Sequence, residues 1–396
     1  MSLPRFILLS LLFVLAGCSS TSTNTSQAPP QKYNLPELTL RWSNPKLPTS
    51  GYNSLQGDLF LTGGNLRAVN IRTHELAYRS ELKTDYGRTH IASVGNQLVV
   101  AYWDTQPGLA LIDKELKTIN KLPFPAGTAG VSLGEQGPVV VGNSVYVAAG
   151  PTVYKYAVAD LGKAGAQPLW YKTFGGYAIS SLLVQDENRI YVGESYRDES
   201  VKDHFETAEF LIALDGNGNV QWKTNTKITG VAGGKVASMG IYKDTVVADL
   251  AGNSMGLQAF RQSDGQPIWA KPTITDACEA GTSPYSTKMA IAADHVYLGN
   301  SGGVCVLALH ADTGQLAWTF NAPYHQTFDN KPLFHHGVIY ATNGRMWALD
   351  AFTGKPLAVG AVDTDMNSGA PLAYDPVEDQ ILQWGPTGVH AFKPLK

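Results

Sequence analysis

The residues best equipped for chemistry in this chain are few, and the first are Cys278 and Cys305, which leave a third cysteine, Cys18, near the amino end. In an oxidising compartment an even pair reads as a disulfide, worth roughly 3.5 kcal/mol on the loop-entropy model. Two free thiols or half of a metal site are the alternatives. Asp215-Gly216-Asn217-Gly218-Asn219 has the Asp-x-Asn-x-Asn opening of a calcium loop. Its twelfth position is Thr226, where such a loop needs a bidentate Glu, so the stretch reads as a β-turn. His335-His336 precedes an apolar run; if the pair is extended, its side chains point to opposite faces, which argues against a shared metal. No P-loop or His-Glu-x-x-His is present. A formal charge of −3 with no basic run argues against nucleic acid as a partner. Neither a metal nor a cofactor is expected. Carboxylates gathered from distant loops are the one catalytic arrangement that spacing does not reveal.

The elements that must carry these residues are strands. Val306 to Trp318 reads VLALHADTGQLAW: an alternating apolar run, a tight Asp-Thr-Gly turn, and a second run ending in Trp. The pattern returns at Leu211 to Trp222, Leu257 to Trp269 and Met346 to Ala358. Weaker copies start at Leu66, Leu109 and Val153, and an eighth, Gly388 to Phe392, stops near the chain end. A further strand-like run precedes each copy, starting at 59, 98, 145, 190, 246, 296, 338 and 381. Those starts are 39, 47, 45, 56, 50, 42 and 43 residues apart, the period of a four-stranded propeller blade. Forty Gly, twenty-two Pro and only 16 % charged residues agree with many turns and no amphipathic helix.

The fold expected is all-β: an eight-bladed β-propeller of four-stranded antiparallel blades, or seven-bladed if the copy at Leu109 is not a full blade. The run at residues 38–42 ends in Trp42 yet has no strands of its own before it, while the eighth copy lacks an outer strand. Residues 38–42 are therefore expected to complete the C-terminal blade and close the ring, burying edges that would otherwise recruit other chains. Trp42, Trp170, Trp222, Trp269 and Trp318 recur at the end of outer strands and are expected to wedge between adjacent blades.

The amino end has a different character. Arg5 followed by the apolar run Phe6 to Leu15 reads as an export signal over residues 1–17. Residues 18–36 are a tether rich in Ser, Thr, Gln and Pro, and 37–396 are the propeller domain. Leu15-Ala16-Gly17-Cys18 resembles the lipobox of bacterial lipoproteins, in which the Cys becomes the acylated first residue. Ser19 and Ser20 follow in place of Asp, so the resemblance implies a lipid anchor at Cys18 in the outer membrane, facing the periplasm.

Ala308 to Trp318 also resembles the repeat of the pyrroloquinoline-quinone-type propellers, whose loose pattern is Ala-x-Asp-x-x-Thr-Gly-x-x-x-Trp. Eight such blades behind a lipobox are similar to the propeller lipoprotein of the outer-membrane β-barrel assembly machinery. That resemblance implies a scaffold that binds the barrel assembly protein or other envelope proteins, monomeric outside the complex, with no enzymatic activity. The quinoprotein dehydrogenases that share the repeat have adjacent cysteines against their cofactor, and none of the three cysteines here is adjacent to another. In the assembly lipoprotein an apolar stretch with an Arg faces the barrel protein. ITGVAGGK stands in that place, so Ile228, Val231 and Lys235 are the candidate partner-binding residues, with Lys in place of the bidentate Arg. A charged excursion, Tyr196 to Glu209, is a second place where a partner could be met; a solvated loop is the alternative.

Overall fold

The computed structural model describes residues 34–45, 53–62, 65–83, 91–102, 106–125, 137–176, 178–197, 206–226, 234–252, 256–271, 278, 289–299, 305–322, 328, 331–360, 372–385 and 388–396. Leu35–Lys396 form one compact unit. Among the described residues there are 33 strands, no α-helix, and one 3-10 turn at Val158–Asp160.

The strands fall into eight sheets, seven of four strands and one of five, antiparallel but for one edge pair. In chain order these sheets, numbered 1 to 8, span 53–83, 91–123, 139–173, 178–225, 234–271, 290–321, 333–360 and 372–392. Seven of them are drawn from consecutive strands. Sheet 8 has three such strands and takes its fourth from Leu40–Asn44, which pairs antiparallel with Gly388–Phe392. The borrowed strand is shifted from residues 38–42, because Leu38 belongs elsewhere. Glu37–Leu38 runs parallel to Pro356–Gly360 and adds a fifth strand to sheet 7.

Burial explains which runs alternate and which do not. Middle strands are covered on both faces: every residue of Ser144–Ala149 and of Gly108–Ile112 is buried. Outer strands such as Val220–Asn225 alternate, because only one face meets protein. The apolar clusters join neighbouring sheets. Val99 and Leu109 of sheet 2 pack with Val145 and Tyr154 of sheet 3, and Val247 and Leu257 of sheet 5 with Val296 and Leu307 of sheet 6. Val69 and Ile71 of sheet 1 share a cluster with Leu382 and Trp384 of sheet 8. The sequence copy at Leu109 is a full member of the series, since sheet 2 has all four strands.

The charged excursion is shorter than its sequence suggests. Strands Arg189–Arg197 and Glu206–Leu214 run into it, with Tyr196 opposite Ala208. Only its tip lies outside the described residues.

Candidate interaction site and the seams between sheets

The repeat motif builds one contact several times. Trp222, Trp269 and Trp318 each sit opposite an Ala on the third strand of their own sheet: Ala213, Ala259 and Ala308. The small residue leaves room for the indole, and a register shift at the next step turns the chain into the Asp-containing turn. Each indole then reaches the turn of the following sheet. The Nε1–H of Trp170 donates to Gly216 O at 2.9 Å, that of Trp222 to Gln262 O at 2.7 Å, that of Trp269 to Ala311 O at 3.1 Å and that of Trp318 to Ala351 O at 2.8 Å. The six-membered ring covers the turn glycine. A Cβ on Gly265, Gly314 or Gly354 would lie 2.5 Å from Cε3 of the neighbouring Trp, and these glycines have φ of +70°, +67° and +69°. Glycine is therefore required twice over, for backbone conformation and for space. The turn aspartates are spent on the turn itself: Asp350 accepts from the Thr353 hydroxyl and from the amides of Thr353 and Phe352, which hold its carboxyl below the usual range.

The seam between sheets 8 and 1 uses other chemistry. Trp42 stacks on His74 with centroids 4.1 Å apart, and its Nε1–H donates to Gln380 Oε1 at 3.1 Å. His74 occupies the turn position that Gly holds elsewhere, with φ +61°. Beside it Arg72 bridges the two sheets, donating to both oxygens of Asp375 at 2.5 and 2.9 Å while also meeting Asp58 and Glu378. Asp375 is 1 % exposed. Burial pushes its pKa up, but hydrogen bonds from Arg72, Gln380 and the Val377 amide outweigh that and leave the carboxyl below its ordinary value. Ser43 Oγ lies 2.8 Å from Nδ1 of the buried His390, whose pKa is lowered by desolvation.

The chemically equipped residues are placed as follows. Cys278 and Cys305 are joined by a disulfide with Cα atoms 5.8 Å apart, tying the connection after sheet 5 to the third strand of sheet 6. Asp215 accepts from the amides of Asn217 and Asn219, each at 2.9 Å, and from the Asn219 side chain, so its oxygens are engaged within the turn. His335 and His336 depart from the extended expectation. His336 has φ +46°, which brings the two rings to 4.2 Å between centroids, and His335 also packs on Tyr374. Among the described residues no three His, Cys, Asp or Glu side chains form a group able to hold a metal ion. Cys18, Ile228 and Val231 lie outside the described residues, and Lys235 is placed only by its backbone, opposite Ala251.

Two further features had no clear sequence signal. Glu194 is fully buried, accepts from the Gly176 amide at 2.7 Å and pairs with Lys223 Nζ at 2.6 Å, so it anchors the connection between sheets 3 and 4. Between sheets 4 and 5, on the side of the turns, a cleft of 420 Å³ is lined by Arg189, Lys243, Asp244, Arg261, Gln262 and Ser263. Its two arginines are already matched to Asp186 and Asp264. These arrangements hold sheets and connections in place.

The model of the family described as outer membrane protein assembly factor BamB matches residues 62–357. The chain belongs to that family. BamB from Moraxella catarrhalis is similar in structure, with a TM-score of 0.61 at 14% identity over 89% of this chain and 98% of that one. A quinohemoprotein alcohol dehydrogenase from Comamonas testosteroni has a TM-score of 0.67 at 13% identity, covering 91% of this chain and 77% of its own. Sqt1 from Saccharomyces cerevisiae has a TM-score of 0.66 at 14% identity, covering 91% and 100%. These likenesses establish the β-propeller fold. No curated protein matches the chain in sequence.

Proposed function

We propose that this protein is a non-enzymatic scaffold of outer-membrane protein assembly, held at the periplasmic side of the outer membrane by acylated Cys18. The observation that carries this reading is the family match over residues 62–357. In this reading the eight sheets are eight blades, and Leu40–Asn44 is the closing strand that completes the last of them. The pairing of that strand with Gly388–Phe392 supports it, as does the apolar cluster shared by sheets 8 and 1. Its partner is the barrel assembly protein of the envelope, met by the connections around Ile228, Val231 and Lys235.

Affinity purification of the acylated protein from detergent-solubilised envelope tests the proposal. Co-purification of the barrel assembly protein at a fixed ratio is the expected result, together with a diacylglyceryl-modified Cys18 by mass spectrometry. Loss of co-purification in a Val231→Asp, Lys235→Glu double variant would place the contact. The dehydrogenase-like fold favours one other reading, a quinone-dependent oxidoreductase. Turnover of alcohols or sugars in a dye-reduction assay after loading with pyrroloquinoline quinone and calcium would establish it against the scaffold reading.

A further inference from the structure

His295 and His310 face each other across the second and third strands of sheet 6, directly opposite in register. Their ring centroids are 4.9 Å apart with the planes inclined at 41°. Two imidazoles sharing one ion at metal–nitrogen distances of about 2.0–2.1 Å have centroids about 4.5 Å apart at a right angle and about 5.2 Å apart at the tetrahedral angle. The observed separation lies between the two.

The tautomer of His295 is set by a neighbour. Nδ1 lies 2.7 Å from Ala293 O, a carbonyl that can only accept, so Nδ1 carries the proton and Nε2 keeps its lone pair. A ring nitrogen that donates to a backbone carbonyl while the other is left free is the usual support of a metal-bound His. No hydrogen bond engages Nε2 of His295, nor the imidazole of His310, among the described residues. The His295 ring is held in position by Tyr297 at 5.8 Å and by Phe352 of sheet 7 at 6.2 Å, edge-on. Tyr297 is itself fixed, since its hydroxyl donates to Ala351 O at 3.2 Å. One ligand is thus buried and rigid, the other exposed and adjustable. Asp294, the nearest turn carboxylate in sequence, is engaged by Tyr242 and Lys243 and is no part of the pair.

We infer that His295 and His310 form a two-histidine chelate for a late divalent transition ion, of the class Cu2+, Ni2+ or Zn2+. Neutral imidazole prefers these ions, in the order that peaks at copper, over Mg2+ and Ca2+, which take oxygen ligands. Two protein ligands leave at least two coordination positions for water or for a donor from another molecule.

Isothermal titration of the tag-free, full-length protein with NiCl2, ZnCl2 and CuCl2 reads the site, with MgCl2 as the comparison. One equivalent bound, tightest for Cu2+, is expected. His310→Ala removes an exposed ligand with little risk to folding and is expected to weaken Ni2+ binding at least tenfold. His336→Gln, at the other close histidine pair, is expected to change it less than twofold. Electron paramagnetic resonance of the Cu2+-loaded protein should show two coupled imidazole nitrogens, falling to one in His310→Ala. Unchanged affinity in His310→Ala, affinity that instead follows His336→Gln, or Mg2+ bound as tightly as Ni2+ would each overturn the assignment.

Discussion

At the scale of single residues, the turn glycines and the outer-strand tryptophans are one device. Gly314→Ala is expected to destabilise the protein by about 2–4 kcal/mol, because the methyl meets Trp269 and the backbone must hold φ +67°. Gly57→Ala is the matched comparison: φ is +59° but nothing lies within 4 Å, so only the backbone cost of about 1 kcal/mol remains. Urea unfolding of both variants separates the two terms, and equal losses would mean that the indole contact carries no weight. This device was legible in the sequence, since Ala, Asp, Gly and Trp sit within a dozen residues of each other and each type has a local reason. Its variants were not. His74 and Leu116 take left-handed backbone at the glycine position, with φ +61° and +64°. There Trp42 stacks on the imidazole and Tyr78 joins the apolar cluster around Leu116, so the repeats look weak although the contact is made. A search for the glycine misses a turn whose requirement is conformational.

Strands and their connections carry the next predictions. Reducing the Cys278–Cys305 bond under native conditions is expected to lower stability by about 3.5 kcal/mol, the loop-entropy value for a separation of 27 residues. Urea unfolding with and without a phosphine reductant measures it, and the Cys305→Ala variant should no longer respond to the reductant. The seam between sheets 8 and 1 adds a pH dependence. His390 has a lowered pKa, so its contribution is complete above the ordinary His value near 6.5 and declines as the pH falls and the unfolded chain takes up the proton first. Asp375 also has a lowered pKa, and its contribution is complete above the ordinary Asp value near 3.9 and is lost below it. Stability should therefore fall in two stages on acidification. Asp375→Asn should shrink the lower stage, to which Asp350 and the other turn carboxylates with lowered pKa also contribute, and cost about 2–3 kcal/mol at pH 7, less than a fully buried pair because Arg72 keeps Asp58 and Glu378. A single-stage profile in the wild type would sink this account. Arg72 and Asp375 stand 303 positions apart in the chain, and neither belongs to a motif. Only the proximity of sheets 8 and 1 pairs them, which is why composition and spacing were silent.

For the whole molecule, the proposed ring depends on a strand that is synthesised first and used last. Without Leu40–Asn44 the outer edge of Gly388–Phe392 would present unpaired backbone groups, and the Arg72 seam would lose the neighbouring Trp42 stack. The same segment, through Glu37–Leu38, also pairs with sheet 7, so it spans the two last sheets in the chain. A chain beginning at residue 46 is therefore expected to self-associate through the bare edge, in light scattering, and to unfold over a broader urea range than the intact domain. A synthetic peptide of residues 35–45 added in trans should restore the monomer and the sharp transition, because strand and acceptor edge are complementary in register. A peptide of the same composition in scrambled order should do neither. If the shortened chain stays monomeric and unfolds as sharply as the intact one, the ring is closed by something other than this strand. The inter-sheet packing of Val69 and Ile71 with Leu382 and Trp384 and the Arg72–Asp375 pair would then hold sheets 8 and 1 together.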